Sequence, residues 1–366
     1  MSRPEGFGRK NHGTDVPKPE NRVRSVKFTT THDGLSLAWS RSGTGPPLIK
    51  AAAWLTHLEY DAVSPVWSHW VSYFEENFDY LRYDERGCGM SDRETGQLNI
   101  DSWVDDFARV AEAAGHSKPF AIIAMSQGTG AAVRYAAENP DHVSHLVIIG
   151  GYARGHFHRG DEQAAALYRA IVDIFGAGFD DQNPAFREVF TKRFLPEGDP
   201  EKIKWFNDLC RRSVDAATGS RLLAARGDMD VSASLKQVKC PTLVLHARGD
   251  GVAPLSEGRY LAQHIPDAEF HVLDSVNHIL QPDEPAWNEA QMAILNFIGV
   301  AAPLADVDLT PRERAILDKI CAAKSNKKIA RELDVSEKTV RNHATNIFAK
   351  IGVSSRQEAI VKMRGG

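Results

Sequence analysis

Short apolar runs alternate with amphipathic segments along residues 23–299. Apolar runs of four to nine residues bounded by turn residues predict strands, and apolar positions recurring every three or four residues predict helices. The predicted strands cover 23–31, 35–40, 48–53, 78–83, 120–124, 143–149, 242–246 and 269–273. The predicted helices cover 66–76, 100–114, 255–264 and 284–298, with another that opens at Gly128. This alternation predicts an α/β fold on a parallel sheet, and Asp33-Gly34 predicts a hairpin between the first two strands.

No strand pattern is found between about residues 152 and 235. The pattern there predicts several helices rich in aromatic side chains. An insertion of this size between two strands is typical of a cap over the mouth of an active site. We expect most of its aromatic side chains to form the cap's own core and a few to line a pocket. They are Phe157, Phe175, Phe179, Phe186, Phe190, Phe194, Trp205 and Phe206.

From residue 308 the pattern changes to four short helices, after a segment at 300–307 that we interpret as a linker. Thr310-Pro311-Arg312-Glu313 combines an N-cap threonine, a proline at the first helical position and a capping-box glutamate. Ser325 is predicted to cap a second helix through Leu333, and Ser336 a third helix through Ile351. A further capping box, Ser355-Arg356-Gln357-Glu358, is predicted to open the fourth.

The third of these helices has two faces. An apolar stripe contains Val340, Ala344, Ile347 and Ile351, and a polar stripe contains Lys338, Arg341, Asn342 and Thr345. Two short helices joined by a tight turn, here Asp334-Val335, form a helix-turn-helix, whose second helix enters the DNA major groove. The pattern therefore predicts that one face packs and the other reads bases.

Charge is distributed unevenly between these parts. Residues 308–366 contain 13 Lys and Arg against 7 Asp and Glu, which leaves 31 against 41 for residues 1–307. A basic tail on an acidic body favours a polyanionic partner for the tail. The alternative is a tail that is merely well solvated.

Composition excludes several other classes of protein. No apolar run approaches the roughly 18 to 20 residues that a membrane helix needs. The polar segment 1–22 lacks the apolar core of a signal peptide, so we expect a disordered N-terminus and a protein that stays in the cytoplasm. Four scattered cysteines, at 88, 210, 240 and 321, are typical of reduced thiols. We predict neither a metal site nor a cofactor.

Candidate chemistry lies just after three predicted strands. In Ala124-Met125-Ser126-Gln127-Gly128, small residues on either side let a strand turn sharply into a helix and place Ser126 on an exposed tip. Asp250 and His278 follow the strands at 242–246 and 269–273. A serine hydroxyl becomes nucleophilic when a neutral imidazole takes its proton and a carboxylate holds that imidazole.

Alternatives remain for each of these residues. Ser126 could be an inert turn, Asp250 could cap the helix at Leu255, and Asp274 is a rival for the acid. Six other histidines are interpreted as surface or packing residues, namely His57, His69, His156, His158, His246 and His271. Asp84 and Arg86 are interpreted as pinning a glycine-rich turn.

Residues 23–299 resemble an α/β-hydrolase, on the serine turn, on the order of Ser126, Asp250 and His278, and on the turn Asp84 to Ser91. The resemblance implies a catalytic triad of those three residues. It also implies that the backbone N–H of Gln127 is one oxyanion donor. Where the family usually has His-Gly, this chain has Ala52-Ala53-Trp54, which makes the Trp54 backbone the candidate second donor. Losing one such donor typically costs about 100- to 1000-fold in rate, so turnover stays open.

Residues 309–364 resemble a LuxR-type DNA-binding domain. The matching stretches are the Leu-Thr-x-Arg-Glu opening, Ser-Asn-Lys-x-Ile-Ala and Ser-x-Lys-Thr-Val-x-x-His. The resemblance implies that Arg341, Asn342 and Thr345 read bases. It implies phosphate contacts from a second set, Lys327, Lys338, Thr339, His343 and Lys350.

Together these features predict a transcriptional regulator with two domains. Residues 23–299 form an α/β-hydrolase-fold sensor of a small apolar ligand, with a cap at about 152–235. Residues 308–366 form a small all-α helix-turn-helix domain that binds double-stranded DNA at an inverted repeat as a homodimer. The alternative is an active esterase or lactonase with secondary or autoregulatory DNA binding, and a third hypothesis is a regulator that hydrolyses its own inducer.

Overall fold

The computed structural model describes residues 25–53, 55–115, 119–179, 183, 185–300, 309–322, 324–351, 353, 356 and 359. Within these residues the sheet has eight strands in the order β1-β2-β4-β3-β5-β6-β7-β8. They are β1 Val26–Thr30, β2 Ser36–Ser42, β3 Pro47–Ala51, β4 Asp79–Tyr83, β5 Phe120–Met125, β6 Val143–Ile149, β7 Thr242–Ala247 and β8 Glu269–Leu273. Strand β2 is antiparallel to both neighbours, and β3 through β8 are mutually parallel. The predicted parallel sheet with an N-terminal hairpin is confirmed.

Helices connect the parallel strands, and one more follows the last strand. They are α1 Leu58–Asp61, α2 Ser68–Asn77, α3 Ile100–Ala114, α4 Gly128–Glu138, α10 Leu255–His264 and α11 Pro285–Ile298. The short helix α1 was not predicted, because four residues are too few to show a helical period. Helix α3 matches its predicted bounds. The Asn99 side chain accepts the Ser102 N–H at its start, and Gly115 ends it in the left-handed region. An N-cap of this kind stabilises a helix by about 1 kcal/mol.

The predicted cap is present between β6 and β7. After a 3₁₀ turn at His156–His158 it contains α5 Glu162–Gly178, α6 Ala185–Thr191, α7 Pro200–Ser213, α8 Ala216–Gly227 and α9 Ser232–Leu235. Asp161, Asp199 and Asp215 each cap the helix that follows them. Most of the predicted core aromatics are buried, namely Phe175, Phe179, Phe190, Phe194 and Phe206, whereas Phe186 is exposed.

Two apolar clusters cover the two faces of the sheet. One contains Leu48, Tyr80, Ile123 and Met125 together with the buried cap aromatics. The other contains Ile49, Ile122 and Ala124 and the inner sides of α3 and α4. Because side chains alternate along a strand, consecutive residues of β3 and β5 fall in opposite clusters.

The C-terminal part contains α12 Pro311–Cys321, α13 Asn326–Glu332 and α14 Glu337–Lys350. Thr310 and Glu313 form the predicted capping box, and Ser325 and Ser336 accept the N–H groups of Lys328 and Thr339. All four residues of the predicted apolar stripe, three on α14 and Ile351 directly after it, are buried in a core shared with α12 and α13. Most of the predicted fourth helix lies outside the described residues, as do 301–307 of the predicted linker and the segment 1–22.

No helix in the described ranges is both long and apolar enough to cross a bilayer. Cys88, Cys210 and Cys240 are free thiols buried in the fold. Across the same ranges no group of three or more His, Cys, Asp or Glu side chains has a metal-binding arrangement.

Candidate active site and DNA-binding interface

Ser126 occupies a strained turn between β5 and α4. Its φ is +50°, in the left-handed region that costs an L-residue about 1–2 kcal/mol. The Ser126 N–H donates to the Ile149 carbonyl over 3.0 Å, which ties the turn to β6. A Cβ on Gly128 would lie 2.9 Å from the carbonyl oxygens of Ala51 and Ala52, so only glycine fits as α4 begins. These contacts explain why small residues flank this serine.

The Ser126 hydroxyl is buried and has no hydrogen-bond partner among the described residues. Leaving a buried hydroxyl unsatisfied costs roughly 1–3 kcal/mol. Ser126 lines a cavity, where its hydroxyl can form a hydrogen bond with a bound molecule.

The predicted acid and base are in direct contact. Nδ1 of His278 lies 2.6 Å from Oδ2 of Asp250, and both side chains are buried. The other Asp250 oxygen accepts the N–H groups of Val252 and Ala253 over 2.8 and 2.9 Å. Burial by itself raises the pKa of Asp250, but the His278 charge and these hydrogen bonds outweigh it and hold the pKa below its usual value. The carboxylate therefore stays ionised and orients the imidazole.

Asp274, the rival acid, is exposed and lies 3.6 Å from Arg248. Asp250 does not act as a helix cap either, since the N-cap of α10 is Pro254 without a side-chain hydrogen bond. The structure therefore places Asp250 beside His278, and Asp274 on the surface.

Two further residues support this pair: Gly150, which the sequence did not single out, and His246, which was predicted to be a surface or packing histidine. Gly150, at the end of β6, has φ +56°, and a Cβ there would lie 3.0 Å from Cε1 of His278 and 3.2 Å from Oδ2 of Asp250. His246 is buried behind the acid, with Nε2 placed 2.9 Å from the Ala253 carbonyl and 3.8 Å from Asp250 Oδ2. Burial lowers the pKa of His246.

The remaining predicted packing histidines behave as expected. His69 contacts the Leu280 carbonyl over 2.9 Å, His156 stacks on Tyr168, and His57 caps α1. His158 pairs with Asp228, and His271 is exposed near Glu269.

A cavity of about 50 Å³ lies between the sheet, α2 and the cap, and Ser126, Gln127 and His278 line it. Its other walls are largely apolar and include Trp67, Trp70, Val71, Phe74, Phe194, Phe206 and Ile279. Such a volume holds only a few water-sized groups. A ligand larger than that requires movement of the cap.

The cap contacts the histidine loop directly. The Phe194 carbonyl accepts the N–H groups of His278 and Ile279 over 3.0 and 3.3 Å, and the Phe194 ring lies 5.3 Å from the His278 ring. A displacement of this part of the cap would therefore move the imidazole.

The cavity also contains charged groups that sequence reasoning missed: Lys50 on β3, Arg82 on β4 and Asp61 at the end of α1. Nη1 of Arg82 lies 3.7 Å from Asp61. Burial raises the pKa of Asp61 to about 7 and lowers the pKa of Lys50. A lysine in the otherwise apolar run 48–53 was the one signal that the sequence offered.

Asp84 and Arg86 hold the turn after β4, as predicted. Asp84 accepts the N–H groups of Leu58 and Met90, and Arg86 is buried in ion pairs with Asp106 and Asp33. A further buried arginine, Arg226 of the cap, pairs with Glu85 and donates to the Gln127 carbonyl. The cap thus contacts the serine turn as well.

The two predicted oxyanion donors differ in what the structure describes. Gln127 is the N-cap residue of α4, directly after Ser126, and it lines the cavity. Trp54 lies outside the described residues.

The predicted base-reading residues share the exposed face of α14. Arg341, Asn342 and Thr345 are exposed, and the Thr345 hydroxyl donates to the Arg341 carbonyl. Of the predicted phosphate contacts, Lys327 and Lys338 are exposed and Thr339 and His343 are half-buried. Lys350 is exposed, but its ammonium donates to the capping-box carboxylate of Glu313 over 2.8 Å.

Comparison with known proteins gives a family match for each of the two domains. A model of the alpha/beta hydrolase fold family matches residues 60–285, more than half of the chain. A model of the luxR family of bacterial regulatory proteins matches residues 307–363.

Individual relatives match the N-terminal part. The chain is 26% identical over 278 residues to 3-oxoadipate enol-lactonase 2 of Acinetobacter baylyi, covering 75% of this chain and 98% of that protein. It is 25% identical over 235 residues to a proline iminopeptidase of Chitinophaga pinensis, covering 58% and 78%. Among solved structures, a bromoperoxidase from Bacillus anthracis has a TM-score of 0.63 at 20% identity, covering 75% of this chain and 99% of that one. The chain belongs to the alpha/beta hydrolase fold family and carries a C-terminal DNA-binding domain of the luxR family of bacterial regulatory proteins.

Proposed function

We propose that this protein is a cytoplasmic transcriptional regulator whose hydrolase-fold domain, residues 23–299, senses a small molecule and controls DNA binding by residues 308–366. The observation that carries the proposal is a mostly apolar cavity with a buried hydroxyl that has no partner among the described residues, in a chain that also has a DNA-binding domain. Concave, mostly apolar pockets with a few convergent polar groups are the usual ligand sites of proteins.

DNA recognition is assigned to α14. Arg341, Asn342 and Thr345 would contact base edges, since they are exposed on one face and the opposite face is buried. An arginine contact to guanine discriminates by about 1–3 kcal/mol. Lys327, Lys338, Thr339 and His343 would contact phosphates, and Lys350 would do so after leaving Glu313. These contacts bind all sequences alike.

We further propose that the regulator acts as a homodimer on an inverted repeat. One helix-turn-helix covers a half-site, and two linked copies gain affinity through effective concentration. Footprints of the full-length protein should show two protected half-sites about one helical turn apart. A monomer that protects a single half-site would contradict this part of the proposal.

A second candidate function is serine-hydrolase activity of the esterase or lactonase type. The 2.6 Å contact between Asp250 and His278 favours it, since it provides an oriented base for the Ser126 hydroxyl. In that reaction Ser126 Oγ would attack an acyl carbon while His278 takes its proton, and the backbone N–H groups of Gln127 and Trp54 would stabilise the oxyanion. DNA binding would then be secondary, or hydrolysis would remove the inducer and reset the switch.

Ser126→Ala distinguishes the two functions. The change removes one hydroxyl and leaves the rest of the cavity in place, so a pure sensor should keep its ligand response, weakened by about 1 kcal/mol at most. A regulator that must hydrolyse its effector should bind it but remain in one DNA-binding state, and His278→Ala should reproduce this result.

Fluorophosphonate labelling of the intact protein provides the matching chemical measurement. Rapid stoichiometric modification at Ser126, with ester turnover well above background, would reject the pure sensor in favour of the hydrolase. Slow labelling with a ligand-dependent change in DNA affinity supports the sensor.

A further inference from the structure

Two positively charged side chains lie on an apolar face of the sheet. Leu48 pairs with Tyr80 across β3 and β4, and both belong to the apolar cluster on that face. Continuing the same register by two residues places Lys50 beside Arg82 on the same face. Like charges at neighbouring positions destabilise a sheet unless an anion balances them. Lys50 and Arg82 both line the cavity that contains Ser126.

The carboxylate of Asp61 balances only part of the positive charge of Lys50 and Arg82. Asp61 is the acidic side chain that lines the cavity, and it lies 3.7 Å from Arg82, too far for a direct hydrogen bond. Lys50 has no hydrogen bond or ion pair to a described residue, and its ammonium approaches the Trp67 ring at 5.9 Å. Two buried atoms, Nε of Arg82 and Oδ1 of Asp61, also have no partner there.

The other acidic side chains nearby are engaged elsewhere. Asp84 accepts the N–H groups of Leu58 and Met90, and Glu85 pairs with Arg226. Neither carboxylate lines the cavity. The raised pKa of Asp61 agrees with this picture, because burial outweighs the attraction of the neighbouring cations Arg82 and Lys50.

We propose that the cavity binds a small carboxylic acid, with its carboxylate on Lys50 and Arg82 and its short apolar chain against Trp67, Trp70 and Phe74. This inference rests on the proposed ligand-binding role of the cavity and specifies the chemical class of the ligand. A carboxylate supplies acceptors for the Lys50 ammonium and the unpartnered Arg82 Nε in one step. The apolar walls and the cavity of about 50 Å³ suit a chain of a few carbons.

The test compares acids with their matching amides on the full-length protein. Propanoate, butanoate and pentanoate are each paired with a primary amide of nearly the same shape and no charge. Trp67 and Trp70 line the cavity, so tryptophan fluorescence reports binding. We expect the acids to bind roughly 10- to 100-fold more tightly than the amides, the range of a hydrogen bond to a charged group.

Three variants test which charged side chain causes the preference for acids over amides. Lys50→Met should remove the preference for acids, whereas Asp61→Asn, which deletes the competing anion, should keep or increase it. Lys239→Met, which changes an exposed lysine, should have no effect. Lys50→Met is expected to fold, because replacing a buried ion with an apolar side chain of similar length is often neutral or stabilising. Its unfolding midpoint checks this.

Any of three results would overturn the inference. Acids and amides could bind equally well, Lys50→Met could keep the preference for acids, or every acid could fail to bind. DNA affinity measured in the same samples separates it from the proposed function. A Lys50-dependent preference for acids without any effect on DNA affinity would reject the sensor and keep the acid site. A DNA response to amides equal to the response to acids would keep the sensor and reject the acid site.

Discussion

Gly150 offers a sharp test of the Asp250 and His278 arrangement. Its φ of +56° lies in the left-handed region, and a Cβ there would sit 3.0 Å and 3.1 Å from two His278 ring atoms and 3.2 Å from Oδ2 of Asp250. Because these distances are shorter than nearly all Cβ contacts in proteins, the neighbouring atoms must shift by a few tenths of an ångström. Gly150→Ala should therefore displace the imidazole and weaken the 2.6 Å contact.

Gly115 provides the matched control. Its φ is +66°, and a Cβ there would have nothing within 4 Å. Gly115→Ala should cost only the backbone strain, about 1–2 kcal/mol. Gly150→Ala has the same strain and also disturbs a buried hydrogen bond to the charged Asp250 carboxylate, for which about 1.5–3 kcal/mol is typical. The expected total is about 2.5–5 kcal/mol.

Urea unfolding followed by tryptophan fluorescence measures this difference. All seven tryptophans precede residue 300, so the signal reports the hydrolase-fold domain and not the C-terminal helices. The low-field NMR signal of the His278 Nδ1 proton gives a second readout, which should shift or broaden in Gly150→Ala only. Equal destabilisation of the two variants, with the NMR signal unchanged, would refute the placement of Gly150 beneath the pair.

Three further predictions concern the other functional parts. In competitive binding to variant duplexes, Arg341→Ala should relax base specificity by about 1–3 kcal/mol at one position, whereas Lys338→Ala should weaken all sequences alike and lower the salt slope. If the triad turns over a test ester, Asp250→Asn should reduce kcat by roughly 10⁴-fold by favouring the wrong imidazole tautomer, and Asp274→Asn should change it little. A hydrogen bond from a lysine of α14 lowers the pKa of Glu313 from 4.5 to about 2, so its stabilisation of the C-terminal helices is present above pH 4.5 and is lost as pH falls through about 2. Amide hydrogen exchange of C-terminal peptides should show this loss, and Glu313→Gln should reduce the dependence on pH.

Local signals predicted much of the fold. The bounds of α3, β6, α10 and β8 agree with the predictions, because caps, glycines and prolines at their ends act within a few residues. The capping box at Thr310 likewise appears as predicted.

The candidate site was predictable only in outline. The order Ser126, Asp250 and His278 followed from their places after strands, and the carboxyl ends of parallel strands meet at one edge of a sheet. The choice between Asp250 and Asp274 could not be made from spacing, because both follow a strand and precede His278. It depends on side-chain direction and burial, which the packed loops determine.

The sequence by itself determined most of the strands and helices, many of their ends, and the family patterns that they carry, since these depend on short-range periodicity and end signals. Only the tertiary structure determined which side chains lie together in the cavity. Lys50, Arg82 and Asp61 come from β3, β4 and α1, and Gly150 lies under a histidine 128 positions away in the chain. Such contacts depend on strand register and helix packing between distant segments, which no local pattern encodes.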